Sequence, residues 1–397
     1  MTYDAYFSDD AKSFQPSAIR RFARLINDPA IISFAGGVPN PATFPAAELS
    51  SIAERLIREN KGVSLQYGPT RGLPRLREFV AQLCREREIE TAVDEIILTT
   101  GSQQALSLVA ASLLDPGDVV LVELPSYIGA LSAFHARRAE MIGVEQDDDG
   151  VVSDSLREVA TRARNAGKRI KFLYTIPNFQ NPSGRLMNAA RRAEVSAIAR
   201  ELGFLILEDD PYGELVYDAG AVTTPIKSLA PHDHVMYLGT FSKILAPGLR
   251  CGWISAPEPL VTKFELAKEA ADLCSGMLDQ AIVDEYCAAG KLPEQVERVR
   301  QFYTARRGVL MQALADHFEG RARWTEARGG LFTWMTLAAE RDTREDVPRA
   351  IESGVAYIPG APFFVDGSGA NTMRLTFAKE TDDRMREGVA RLARIFS

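Results

Sequence analysis

Metal- and sulfur-binding residues are scarce in this chain. Its 397 residues include four cysteines and four histidines. Cys84, Cys251, Cys274 and Cys287 are scattered and form no CxxC pair, which argues against a disulfide framework or a zinc cluster. With so few histidines no metal is expected either. No run of 18 apolar residues occurs, so no transmembrane helix is expected. The opening Met1-Thr2-Tyr3-Asp4-Ala5-Tyr6 lacks the basic and apolar regions of a secretory leader. Positive charge is not in excess: Lys+Arg number 46 against 53 Asp+Glu, a net −7. That balance argues against a partner held by phosphate neutralisation along a nucleic acid. A few placed arginines can still bind a small anion. The expectation is a cytoplasmic protein in a reducing compartment, with no membrane and no nucleic-acid partner.

What is present is an alternation of short apolar runs and helical patterns. Glu95–Thr100, Val119–Val122, Arg169–Tyr174, Phe204–Leu207, His234–Leu238 and Cys251–Ser255 read as buried strands. Between them, Ser102–Leu114 and Ala189–Leu202 read as helices, the latter with Ala193, Val195, Ile198, Ala199 and Leu202 on one face. This predicts an α/β domain with a mostly parallel sheet flanked by helices. After Ala256 the texture changes to long amphipathic stretches, Leu260–Ala289 and Pro293–Glu319. Strand-like Gly330–Met335 and Thr372–Phe377 and a helix near Asp382–Ile395 follow, the pattern of a smaller α+β domain. A short helix is expected at Ser17–Ile26, before a Gly/Pro-rich loop, Phe34–Pro45.

Four segments carry chemistry. In Gly239-Thr240-Phe241-Ser242-Lys243-Ile244-Leu245-Ala246-Pro247-Gly248-Leu249-Arg250, a lysine stands between hydroxyl residues with an arginine seven positions on. That suits an aldehyde cofactor bearing a phosphate: the amine would form a Schiff base, and the hydroxyls and guanidinium would hold the phosphate. A lone lysine on a polar turn would read as surface; the flanking pattern is what argues otherwise. Glu208-Asp209-Asp210-Pro211-Tyr212 ends an apolar strand, where open α/β sheets bind ligands. A carboxylate there can pair with a protonated pyridine nitrogen, although an acidic loop capping the next helix would look the same. Pro177-Asn178-Phe179-Gln180-Asn181-Pro182-Ser183-Gly184 is turn chemistry with amides at its centre, and a cis Asn181–Pro182 bond is expected. Thr99-Thr100-Gly101-Ser102-Gln103-Gln104 runs from strand into helix and offers free N–H groups to an anion, though Ser102 could serve only as a helix cap. It is neither a GxGxxG fingerprint nor a P-loop.

In this order the four segments resemble the fold-type I pyridoxal-phosphate enzymes, specifically class I/II aminotransferases. The resemblance spans nearly the whole chain. Ser33-Phe34-Ala35-Gly36-Gly37-Val38-Pro39, Gln66-Tyr67-Gly68 and Met373-Arg374-Leu375-Thr376-Phe377 are similar to the branch of aminoadipate, kynurenine and broad-range amino-acid aminotransferases. The resemblance implies a large domain with a seven-stranded sheet over residues 46–285 and a small domain over 286–397. Residues 1–45 would form an arm and substrate loop packed with the small domain. It implies that Lys243 forms the Schiff base and shuttles a proton, that Asp209 pairs with the pyridine nitrogen, and that Tyr212 and Asn181 hold the ring's phenolic oxygen. Tyr127 would stack on the ring. Gly101, Ser102, Gln103, Ser242 and Arg250 would bind the phosphate, with Thr240 a weaker candidate. Tyr67 would reach the phosphate of a neighbouring subunit, making the active unit a homodimer. Arg374 would clamp the substrate carboxylate, helped by the Gly37 backbone and Asn181. A strand arginine between apolar neighbours is costly to bury without an anion, which favours the same reading on physical grounds. Arg20 stands where relatives carry a substrate-reading arginine; a solvated helix face is its other reading.

The implied activity is transfer of an amino group from an L-amino acid to a 2-oxo acid such as 2-oxoglutarate. The donor is left among 2-aminoadipate, aromatic and branched amino acids. A β-lyase or decarboxylase would carry the same cofactor residues. A cofactor-domain transcription regulator would need a DNA-binding module ahead of Phe34, and about 30 residues are too few for a winged helix.

Overall fold

The computed structural model describes residues 3–14, 28–229 and 231–397. The expected helix at Ser17–Ile26, and Arg20 with it, lies outside the described residues.

Fourteen strands are found in chain order among the described residues: β1 (Ile32–Ser33), β2 (Ile96–Thr99), β3 (Val119–Leu124), β4 (Glu140–Asp147), β5 (Gly150–Val151), β6 (Ile170–Thr175), β7 (Leu205–Asp209), β8 (Val235–Thr240), β9 (Gly252–Ser255), β10 (Arg323–Trp324), β11 (Phe332–Thr336), β12 (Val355–Ala356), β13 (Ile358–Pro359) and β14 (Thr372–Thr376). The large sheet runs β2-β9-β8-β7-β6-β3-β4-β5. Its centre is parallel, from β8 through β7, β6 and β3 to β4. Seven strands make up its body, and the two-residue β5 extends its edge.

Strand residues alternate between two apolar layers, as the two-residue period of a strand requires. On one face Val120, Val122, Phe172, Tyr174, Leu207, Met236 and Leu238 join a core. On the other, Val119, Leu121, Leu173, Ile206 and Val235 join a second core, which includes Val195, Ile198 and Ala199 of the helix Ala189–Leu202. That helix has the bounds read from the sequence, but Arg192 is buried and Ala193 is exposed. The Arg192 guanidinium earns its place by donating to the carbonyls of Met187, Pro177 and Thr224 and to Asn178 Oδ1.

The expected stretch Leu260–Ala289 is two helices, Glu258–Asp272 and Met277–Ala288. Leu273 interrupts them with a φ of 63°. Just before the break, Asp272 accepts bonds from Lys268 Nζ at 2.7 Å and Gln104 Nε2 at 2.5 Å, tying this corner to the Thr100 loop.

The smaller sheet has the order β10-β11-β14-β13 and is antiparallel. Arg374 lies in its interior strand β14, opposite Trp334 and Ile358. Near the chain start, β1 pairs in parallel with β12, and Thr376 N–H donates to Phe34 O at 3.0 Å. This carries the Phe34–Gly37 loop alongside the end of β14.

Candidate active site

The carboxyl ends of β3, β6, β7 and β8 lie on one edge of the large sheet, because these strands are parallel. Two antiparallel pairings, β8 with β9 and β9 with β2, return β2 to the same direction. Gly252 is thereby opposite both Thr240 and Thr99. A Cβ at Gly252 would lie 2.9 Å from Gly239 O and 3.2 Å from Gly101 Cα, so only glycine lets the turn after β8 and the turn after β2 approach.

Strand alternation sorts the acidic run. Glu208 faces the second core and accepts the N–H groups of Ile226 and Lys227 at 2.8 and 2.9 Å. Asp210 pairs with Arg87 at 2.8 Å and accepts from Tyr237 at 3.0 Å. Asp209 alone points to the first face. It is 2 % exposed, and its Oδ2 accepts the Tyr174 hydroxyl at 2.9 Å. Its Oδ1 is buried with no hydrogen-bond partner. Burial pushes its pKa up to about 7, against the Tyr174 hydrogen bond and the charge of Lys243. A folded-state pKa above the unfolded value means that this carboxyl costs stability as pH rises from about 4 to 7. A cationic N–H donor placed at Oδ1 would relieve that cost.

Lys243 is half-buried, and its Nζ donates to Gly37 O at 3.2 Å. Burial, then the charges of Arg374 and Arg250, lower its pKa to about 8. Arg374 is 1 % exposed and stacks over Phe332 at 4.3 Å and Phe363 at 5.3 Å. Its Nη1 donates to Asn181 Oδ1 and its Nη2 to Ala35 O, both at 2.9 Å, while Nε is buried without a partner. Burial lowers its pKa to about 10. Lys243 therefore lies within range of two cations, Arg374 and Arg250, and of one acid, Asp209, whose own charge burial disfavours. The excess positive potential fits a ligand bearing a phosphate and a substrate bearing a carboxylate.

The remaining residues named from the sequence divide as follows. Tyr212 is buried, edge-on to Phe332 at 6.0 Å, and burial raises its pKa. Tyr127 begins the helix Ile128–His135, its ring against Gly129; burial and then Asp209 raise its pKa. Gly101 has a φ of 74°, and a Cβ there would meet Arg250 Nη2 at 2.5 Å, so the guanidinium lies on the turn. Arg250 Nη2 donates to Thr100 O at 3.2 Å. Ser102 Oγ is buried and has no hydrogen-bond partner at the start of the helix Ser102–Leu113. Thr240 Oγ1 accepts from Ser242 N–H and has Ser242 Oγ and Cys251 O within reach of its own proton. Gln103 Nε2 donates to Gly129 O at 3.0 Å. Gly37 sits 3.1 Å, by its absent Cβ, from Phe332 and near Arg374 Nη2. Within one chain Tyr67 is not part of this group; it is 78 % exposed.

Two residues were not singled out from the sequence. Tyr174 touches Asp209, as above. Glu123, at the end of β3, accepts from Thr175 Oγ1 at 2.5 Å, Gln180 Nε2 at 2.9 Å and Ile176 N at 3.2 Å, and so pins the turn that presents Asn181. Burial pushes its pKa up to about 7. Period-two reading of β3 and β6 would have placed both side chains. The expected cis bond at Asn181–Pro182 is present, with another at Leu124–Pro125. Removing the carboxylate in Glu123→Ala strands buried donors, and an expected loss of about 2–4 kcal/mol should be read from urea unfolding. A loss under about 0.5 kcal/mol would show that the turn holds itself.

Asp209 Oδ1, Ser102 Oγ and Arg374 Nε are buried polar atoms without hydrogen-bond partners among the described residues. One free acceptor, one free hydroxyl and one free guanidinium N–H would suit a protonated pyridine nitrogen, a phosphate and a carboxylate, so the residues present fit pyridoxal phosphate and an amino acid.

Comparison with known proteins agrees with this chemistry. The family model "Aminotransferase class I and II" matches residues 33–392. The aromatic-amino-acid aminotransferase 1 of Thermococcus litoralis is 40 % identical, over 99 % of this chain and 94 % of that protein. The 2-aminoadipate transaminase of Thermus thermophilus is 39 % identical, over 99 % and 97 %. A crystal structure of Pyrococcus horikoshii kynurenine aminotransferase, in complex with PMP, superposes with a TM-score of 0.95 at 39 % identity, covering 99 % of this chain and 97 % of that one.

Proposed function

This chain belongs to the class I and II aminotransferases, and from that premise we propose how its residues divide the work of moving an amino group from an L-amino acid to a 2-oxo acid. The enzyme is a pyridoxal-phosphate-dependent transaminase of the fold-type I kind. The observation that carries the residue assignment is Asp209, buried with one oxygen held and the other unpartnered, within electrostatic range of Lys243. The relatives are named for amino transfer, which does not favour elimination or decarboxylation.

When bound, the cofactor supplies an electron sink for the charge left at the substrate Cα. Lys243 would capture its aldehyde carbon and afterwards carry the Cα proton, a task that needs the neutral amine. The crowding of Lys243 by Arg374 and Arg250 favours that neutral form. Asp209 Oδ1 would accept from the ring nitrogen. Asn181 uses its Oδ1 for Arg374, which leaves its NH2 to donate to the phenolic oxygen alongside Tyr212. Ser102, Ser242, Arg250 and the N–H groups at Gly101–Gln103 would hold the phosphate, with the Thr240 hydroxyl positioning Ser242. Tyr127 would cover the ring. Arg374 and Gly37 would fix the substrate carboxylate, leaving Cα–H exposed to Lys243.

Capture of added pyridoxal phosphate by the cofactor-free chain should rise with pH up to about 8 and then level. Below 8 the expected slope is about tenfold per unit, as the neutral amine fraction grows. A rise that continued to about 10 would place Lys243 in ordinary solvent. Stopped-flow absorbance measures it.

The donor is proposed to be a 2-aminoadipate-like, aromatic or branched amino acid, with 2-oxoglutarate as acceptor. A screen of amino acids against 2-oxoglutarate and pyruvate, with product analysis, tests this. Ammonia or carbon dioxide in place of a new amino acid would overturn it. Comparing dicarboxylic with aromatic donors in the screen, with and without Arg20, tests whether Arg20 reads a distal carboxylate. The active unit is proposed to be a homodimer. Support comes from the exposed apolar run Ile57, Val63, Leu65 and Tyr67, at 43, 38, 60 and 78 % exposure. A monomeric mass by light scattering would reject it. All four cysteines are free, in keeping with the proposed cytoplasmic setting, and no helix among the described residues is long and apolar enough to cross a membrane.

A further inference from the structure

Tyr174 is fully buried in the middle of the first core. Its ring meets Phe134 edge-on at 5.5 Å, and Phe134 meets Phe172, two residues earlier on the same strand face, at 5.3 Å. Phenylalanine would fill that space equally well. The hydroxyl therefore needs its own reason, since a buried phenol without a partner is costly. Its partner is Asp209 Oδ2, at 2.9 Å. The other oxygen of that carboxylate is the one left unpartnered.

We propose that Tyr174 is a positioning residue for Asp209, fixing which carboxylate oxygen faces the cofactor and keeping the shared proton on the pyridine nitrogen. The inference rests on the reading of Asp209 given above. Asp209 Oδ1 can leave that proton on the ring nitrogen, giving a carboxylate beside a cation, or take it up, giving two neutral groups. A hydroxyl donating to Oδ2 is a stronger bond when the carboxylate is charged, so Tyr174 favours the first arrangement. Only a protonated ring is a strong electron sink. The surroundings otherwise push the other way. Burial raises the Asp209 pKa, and so do Asp210, the next residue after β7, and Glu123 on β3; Tyr174 and Lys243 are the groups that lower it. Tyr127 and Tyr212 face the same carboxyl and carry no charge to offset this.

The test is Tyr174→Phe, which removes one oxygen and keeps the ring. Pyridoxal phosphate isotope-labelled at the ring nitrogen is loaded, and the nitrogen resonance is read by NMR. The resonance is expected to move toward the neutral-pyridine position. kcat is expected to fall by about 10- to 100-fold, the weight of a hydrogen bond to a charged group, with KM for the amino acid within about twofold. Phe134→Leu disturbs the same packing without removing the donor; it should lower Tm and leave the resonance in place. A pyridinium resonance retained in Tyr174→Phe overturns the proposal. So does an equal movement in Phe134→Leu, which would make Tyr174 a packing residue. If Asp209→Asn also leaves the resonance unchanged, the reading of Asp209 fails instead.

Discussion

Replacing Lys243 by alanine is expected to remove amino transfer, lowering kcat/KM by more than about 10⁴-fold, together with the visible absorbance of the bound cofactor. Two separate tasks end at once: covalent capture of the aldehyde and proton transfer at the substrate Cα, the latter alone commonly contributing about 10²–10⁴-fold. The protein should stay folded. Lys243 makes one side-chain hydrogen bond, to Gly37 O, and removing a cation crowded by Arg374 and Arg250 relieves repulsion. Tm should hold within a few degrees. Turnover retained with an ordinary spectrum would reject Lys243 as the capturing amine, and a collapsed Tm would show that the loss was one of folding.

The second large effect is expected at Arg374. Arg374→Ala removes a fully buried guanidinium that donates to Asn181 and to Ala35 of the Phe34–Gly37 loop. Loss of one partner from a desolvated, hydrogen-bonded charge pair costs about 2–5 kcal/mol, or roughly 30- to 5,000-fold in kcat/KM. Most of it should fall on KM, because the carboxylate is held in the ground state as well as in the transition state. Arg374→Lys should recover only part, since an ammonium cannot reproduce the planar fork or the stacking on Phe332 and Phe363. The cofactor spectrum should survive in both variants. Steady-state kinetics over amino-acid concentration decides the matter; an unchanged KM in Arg374→Ala would mean that another group anchors the carboxylate.

The parallel centre of the sheet was legible because β3, β6, β7 and β8 are buried on both faces and read as continuous apolar runs. β4 was missed for the opposite reason. Glu140–Asp147 lies toward the sheet edge, half exposed, and its Glu140, Glu145, Gln146 and Asp147 dilute the strand pattern. The split at Leu273 was hidden because Leu260–Ala289 keeps its helical composition throughout; the interruption is a backbone conformation, with Asp272 held by partners at Gln104 and Lys268. Arg192 was assigned to no core because its burial depends on carbonyls gathered from three separate turns. In the site, Lys243, Asp209, Asn181 and Arg374 are polar or charged residues set beside or within apolar strand runs, which is why they stand out in the sequence. Tyr174 and Glu123 sit inside strands among apolar neighbours, and their roles depend on which face each strand turns toward which layer. Gln103 and Thr240 are read from the sequence as phosphate contacts; their side-chain bonds to Gly129 O and to Ser242 and Cys251 O depend on turns brought together by the fold.

The strict alternation of β7 between its two layers has a consequence for how this chain can change. Glu208 and Asp209 differ in task only because consecutive residues of a strand point in opposite directions. A single-residue deletion inside Leu205–Asp209 would swing the wrong acid toward the pocket and drive a needed backbone anchor out of the other layer. Loss or gain of two residues preserves the facing. Length variation across descendants of this sequence should therefore accumulate in the surrounding loops, and within this segment only in even steps.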